Sequence, residues 1–215
     1  MTSASGAARR PLKSRSSGWA RWAASALARS PITPNQISVA SVVIALLGAG
    51  GLLGLPAPWS FLSCALGIQL RLLCNLLDGM VAIEGGKRSA TGALYNELPD
   101  RLADSLFIVA VGYAVALPWL GWCAALLAAL TAYIRVLGGA LGLEQDFRGP
   151  MAKPHRMAVL TAACLLAALE HGLWGSQHAL AVGEIVVAAG ALLTCVRRTR
   201  AIARQLRAAE AGERA

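Results

Sequence analysis

The sequence predicts an all-α, polytopic membrane protein, with six transmembrane helices preceded by an amphipathic interfacial helix. Three observations carry this reading. Hydrophobic residues make up 56% of the 215 and charged residues only 14%, outside the range of an ordinary soluble domain. The apolar residues fall into six runs close to the ~20 residues that cross a bilayer. Lys and Arg crowd alternate connections between those runs, as the positive-inside rule requires of an even-spanning chain. The apolar content also excludes a disordered chain. Five cysteines, an odd number without C-x-x-C spacing, exclude a disulfide scaffold, and all five (Cys64, Cys74, Cys123, Cys164, Cys195) lie within apolar runs and read as small buried hydrophobes.

In chain order, residues 1–15 are small, polar and basic and read as disordered, with no apolar core leading to a cleavage site of the signal-peptide kind. Residues 18–30, GWARWAASALARS, mix Trp, Leu and Ala with Arg, and read either as a helix lying in the cytoplasmic interface or as a plain basic tail. The expected spans are 37–55, 59–83, 98–117, 120–143, 157–169 and 179–196. Six basic residues precede the first (Arg9, Arg10, Lys13, Arg15, Arg21, Arg29) and six follow the last (Arg197, Arg198, Arg200, Arg204, Arg207, Arg214), so both termini are expected in the cytoplasm. Lys87 and Arg88 lie between spans two and three, and Arg148, Lys153 and Arg156 between four and five. The other connections carry no Lys or Arg, and Trp59, Trp119, Trp122 and Trp174 sit at those uncharged ends. The net charge of +9 thus has a role in topology and anionic-lipid contact, which leaves nucleic-acid binding without a motive. Residues from about 208 also read as disordered. The expected organisation is a basic tail with its interfacial helix over 1–30, a membrane domain over 31–196 and a basic cytoplasmic tail over 197–215. No internal repeat supports a transporter built from duplicated halves.

The informative residues are the charges left within or beside the spans: Arg71, Arg101 and Arg135, with Asp78, Glu97, Asp100, Asp104 and Glu184. A charge at the bilayer centre costs at least ~2.5 kcal/mol, so each implies a function or a partner. Asn75 and Asp78 are three residues apart and share a helix face, while Gly92, Asn96, Asp100 and Asp104 repeat every four and share another. The short connection 84–91 makes the two helices antiparallel neighbours with polar faces at one depth. Facing carboxylates in a low-dielectric site must bind cations, protonate, or pair with Arg71 and Arg101. Oxygen donors without His or Cys favour Mg2+ or Mn2+ over zinc, and such ions commonly serve phosphate chemistry.

The stretch Asn75-Leu-Leu-Asp78-Gly79-Met-Val-Ala82-Ile83, then eight residues, then Gly92-Ala-Leu-Tyr-Asn96-Glu-Leu-Pro-Asp100 resembles the signature of the CDP-alcohol phosphotransferase family, D-x2-D-G-x2-A-R-x8-G-x3-D-x3-D, without a gap. Ile32-Thr-Pro-Asn35-Gln-Ile-Ser38 is similar to the Thr-Pro-Asn lead-in of many members, and the six-span plan matches theirs, so the resemblance covers about residues 30–196. The chain departs from the pattern at Asn75 and Asn96, where the family has its first and third acids, and at Ile83, where it has Arg. An Asn carbonyl still ligates a hard cation, but with less charge. A second register places Asp100 and Asp104 on the last two acidic positions, at the expense of four extra loop residues and the Gly92 match.

The resemblance implies a membrane phosphotransferase of phospholipid biosynthesis, most simply one that joins CDP-diacylglycerol to a small polar alcohol with release of CMP. It implies two divalent ions, Mg2+ or Mn2+, with Asn75, Asp78, Asn96 and Asp100 as ligands. The last Asp takes the alcohol proton, which makes Asp100 the base and Asp104 its competitor. Asn35, Gly79, Ala82 and Gly92 would border the nucleotide. Arg135, Lys153 and Arg156 resemble a basic pocket for a second phosphate or an acidic headgroup. Lys87 or Arg88 could stand in for the Arg absent at Ile83. Membrane lipid is a partner, the bacterial inner membrane the expected location, and a homodimer is expected by analogy. The competing readings are a relative that binds lipid or nucleotide without turnover and, more distantly, a small cation transporter.

Overall fold

The computed structural model describes residues 18–213, which form seven α-helices and no strand among the described residues: α1 (Gly18–Arg29), α2 (Pro34–Gly54), α3 (Trp59–Glu84), α4 (Gly92–Ala114), α5 (Pro118–Ala140), α6 (Lys153–Trp174) and α7 (His178–Glu213). Among these, α2, α3, α5, α6 and α7 are long and apolar enough to cross a membrane. Helix α4 has 23 residues but holds Glu97, Asp100, Arg101 and Asp104, so the expected third span is present as a helix without the composition of the other five.

Helix boundaries follow from local chemistry. Thr33 caps α2 through a capping box: its hydroxyl accepts from the Gln36 backbone N–H at 3.2 Å, and Gln36 Oε1 accepts from the Thr33 N–H at 2.9 Å. Pro34, Pro118 and Pro154 occupy first turns, where a missing N–H costs nothing. Gly86, with φ of +63°, turns the chain after α3. Residues 18–29 are helical and bury Ala20 and Ala24 against Met80 and Val81, while Trp19 and Trp22 face outward. The far end corrects one expectation: residues 208–213, expected to be disordered, continue α7, because the Arg- and Ala-rich segment after the last apolar run keeps high helix propensity. Arg9, Arg10, Lys13, Arg15 and Arg214, and the expected disorder over 1–15, lie outside the described residues.

Small residues set the packing. A Cβ on Gly67 would lie 2.9 Å from the Gly48 Cα and 3.3 Å from the Phe107 ring, so α2 and α3 meet there at backbone distance with the α4 Phe107 ring packed against them. Gly112 and Gly121 do the same between α4 and α5. One apolar core runs through α2 to α7, with Phe61, Ile68, Phe107, Ile108, Met157 and Leu160 fully or almost fully buried. Outside it, Leu47, Leu126, Leu169 and Trp174 are exposed on the isolated chain, an apolar exterior that suits lipid rather than water. Of the cysteines, Cys64, Cys164 and Cys195 are buried as expected, whereas Cys123 faces outward and Cys74 is half-buried.

One neighbour relation is corrected. Helix α2 packs against both α3 and α4, and those two touch each other at few places. The short 84–91 connection therefore joins helices whose polar faces meet across an opening.

Candidate active site

That opening is a cleft of about 540 Å3. Asn75, Asp78 and Gly79 enter it from α3, Asn96 and Asp100 from α4, Arg135 from α5, and Lys153 and Arg156 from α6. Eight residues given site roles by the resemblance thus share one cavity, together with Glu97 and Arg101. Asn35, Ala82, Gly92 and Asp104 do not line it. Asn35 donates to Ser89 and Thr91 Oγ at 3.4 and 3.5 Å, and a Cβ on Gly92 would meet only Ser89 Oγ at 3.5 Å, so neither is pressed against the cavity. Lys87 bonds the carbonyls of Ser30 and Ile32 and holds the α1–α2 connection.

The acids differ sharply in surroundings. Asp78 accepts the Ser38 hydroxyl from α2 at 2.6 Å through Oδ2. Asp100 Oδ1 accepts from Asn75 Nδ2 at 2.6 Å and from Arg71 Nη2 at 3.1 Å, and its Oδ2 accepts from Lys153 Nζ. Asp104, one turn further, is sealed behind the cleft, with Arg71 Nη2 at 2.6 Å from Oδ1 and Arg156 Nη2 at 3.0 Å from Oδ2. Arg71 and Arg156 are 0% and 1% exposed, so these are fully desolvated pairs that persist because each charge has its counter-charge. At the rim, Arg135 donates to Glu97 at 2.6 Å and Gln145 at 3.0 Å, and lies 5.2 Å over the Phe147 ring.

Ser38 and Arg198 escaped sequence reasoning as site residues, whereas the pairing of the acids with Arg71 is one of its expected alternatives. Arg198 lines the cleft and donates to the carbonyls of Thr131 (2.6 Å) and Arg148 (2.8 Å), tying α7 to α5 and to the α5–α6 loop. In that loop burial pushes the Asp146 carboxyl up, but hydrogen bonds from the Arg148 side chain and N–H outweigh it and hold the group below its ordinary value. Glu184 is buried on α7 with no hydrogen-bond partner among the described residues and lies off the cleft.

Among the described residues no three His, Cys, Asp or Glu side chains gather as a metal cage. The donor set is nonetheless oxygen-rich: one Asp78 oxygen beyond its Ser38 bond, the Asp100 carboxylate, and the amide oxygens of Asn75, whose nitrogen is turned to Asp100, and Asn96. Its chemistry fits a hard divalent cation held by two carboxylates and supplementary amides.

The chain is 32% identical over 187 residues, 86% of its length and 90% of the relative's, to an archaetidylinositol phosphate synthase of Aeropyrum pernix. This chain belongs to the CDP-alcohol phosphatidyltransferase family. Further relatives of this CDP-alcohol phosphatidyltransferase are the inner membrane protein YnbA of Escherichia coli (30% identity, 69% of each chain) and a phosphatidylinositol phosphate synthase of Streptomyces avermitilis (27%, covering 85% of this chain and 75% of that one). Its fold matches the Mycobacterium tuberculosis phosphatidylinositol phosphate synthase solved with CDP-DAG (TM-score 0.71, 22% identity, 85% of this chain and 92% of that one) and with manganese and citrate (TM-score 0.74, covering 85% and 88%). No protein-family model matches the sequence.

Proposed function

We propose that this protein transfers a phosphatidyl group, or a closely similar lipid phosphate, from a CDP-linked lipid such as CDP-diacylglycerol to the hydroxyl of a small polar alcohol, releasing CMP. The observation that supports this most is the meeting of Asp78 and Asp100, from two different helices, in one cleft lined on its other side by Arg135, Lys153 and Arg156. Asp78 and Asp100, helped by the amide oxygens of Asn75 and Asn96, would hold the divalent ion. When bound, Mg2+ or Mn2+ supplies neutralisation of the departing CMP phosphate and polarisation of the attacked phosphorus.

The remaining work falls to side chains. Asp100 lines the cleft and takes the alcohol proton; Asp104, closed off by Arg71 and Arg156, holds α4 in place instead. Gly79 borders the nucleotide. Arg135, Arg156 and Arg198 grip an anionic acceptor. Relatives named for inositol phosphate products favour an acceptor that itself carries phosphate. In this reading α4 is the sixth crossing, its charges turned to the cleft, and both termini lie in the cytoplasm of a bacterial cell with the chain in the inner membrane. Asn75, Asn96 and the Lys153 contact favour one competing reading, a relative that binds CDP-lipid without turnover.

Purified protein in detergent, given labelled CDP-diacylglycerol, Mn2+ and a panel of alcohols and alcohol phosphates, should release CMP with one acceptor preferred. Asp100→Asn should lower that rate by about 10²–10⁴-fold, the range for loss of a general base, and EDTA should abolish it. Equal rates from both proteins would reject the reading.

A further inference from the structure

Three carboxylates, Asp78, Glu97 and Asp100, line the cleft against five basic side chains, Arg101, Arg135, Lys153, Arg156 and Arg198. Behind it Arg71 and Asp104 offset one another. The protein's own side chains thus leave the cleft positive before any cation arrives. The family pattern puts acids at the positions of Asn75 and Asn96, so this chain lacks two negative charges that would balance a further dication.

Asp100 shows where the balance is struck. Both of its oxygens already accept hydrogen bonds, Oδ1 from Arg71 and Asn75 and Oδ2 from Lys153, so an ion at Oδ2 would compete with the Lys153 ammonium. Lys153 is the first residue of α6, directly after the extended Ala152, and from that fixed start its stem crosses the cleft to α4. An ammonium on that carboxylate oxygen supplies positive charge at a donor that a second divalent ion would need. Two like cations cannot share that oxygen without strong repulsion.

We propose that Lys153 is a built-in counter-cation that replaces one divalent ion, so that this chain works with a single divalent ion held mainly by Asp78, and the substrate pyrophosphate lies between that ion and the Lys153 ammonium. This rests on the CDP-lipid reading for the identity of the pyrophosphate, but the ion count does not. Lys153 is a positioning residue here, acting on charge and not on protons.

The test is Mn2+ binding by the full-length protein in detergent, followed through the electron paramagnetic resonance signal of free Mn2+, with and without CDP-diacylglycerol. The wild-type and Lys153→Arg proteins should each bind one Mn2+ per chain. Lys153→Ala should bind Mn2+ about tenfold more tightly or better, the effect of removing a unit charge roughly 6 Å from a dication even at the dielectric constant of water. Asn75→Asp/Asn96→Asp/Lys153→Ala should bind two. Two ions on the wild-type chain, or unchanged or weaker binding by Lys153→Ala, would overturn the proposal, and the wild-type count decides it even if a variant fails to fold. CMP release measured on the same samples separates the two readings: release with two ions bound removes only the Lys153 role, while one ion bound without release removes only the transferase reading.

Discussion

The apolar half of the bundle, where Gly48, Gly67 and Phe107 meet, and the polar half, where Arg71, Asp100 and Asp104 meet, are built on the same helices with opposite chemistry. In the first, helices touch backbone to backbone and dispersion holds them. In the second, α3 and α4 scarcely touch, and the buried Arg71 guanidinium spans the separation. Close contact gives a rigid frame with no room for a ligand; long charged side chains keep a cavity open while still linking the helices. The polar half should therefore be the more fragile when one partner is removed, since a deleted methyl group leaves a gap but a deleted charge leaves its partner stranded.

The largest stability effect is expected from Arg71→Met, which strips one counter-charge from both Asp100 and Asp104 and should destabilise by about 3–5 kcal/mol in denaturant unfolding in detergent; adding Asp104→Leu should recover part of the loss. Gly67→Val forces a side chain against the Gly48 backbone and should be destabilising by about 1–3 kcal/mol while leaving Mn2+ affinity of the folded fraction unchanged. Were it as damaging as Arg71→Met, or were it to alter metal binding, the division into frame and site would fail. Arg135→Ala should be nearly silent in stability, below about 1 kcal/mol, because its partner Glu97 is 42% exposed. It should instead raise KM for a phosphate-bearing acceptor by roughly tenfold with kcat little changed, and a kcat loss without a KM change would move Arg135 out of the acceptor pocket.

Much of the helical plan was legible because apolar runs and the positive-inside count are long-range signals that single residues cannot blur. The polar face of α4 was legible for a similar reason, since Asn96, Asp100 and Asp104 recur at helical spacing. Periodicity says which face a residue shares and nothing about depth behind that face, so it left Asp100 and Asp104 as rivals; only the positions of Arg71 and Arg156 separate the one in the cleft from the one behind it. Arg198 was hidden by its neighbours, because Arg197 and Arg200 share the topological explanation and no local feature distinguishes the one that turns inward. Ser38 was hidden by its ordinariness, a small hydroxyl in an apolar helix, and its bond to Asp78 spans forty residues of sequence. The distance between α3 and α4 was misjudged because a short connection limits only where two helices begin, and α2 fills the space it leaves.

The sparse meeting of α3 and α4 has an energetic consequence for anything that docks there. A guest entering there disturbs little interhelical packing, because α3 and α4 meet mainly through Arg71 and Asn75 and each packs on α2 instead. A ligand that claims the Asp100 carboxylate must then displace a side chain, Lys153, rather than separate two packed helices.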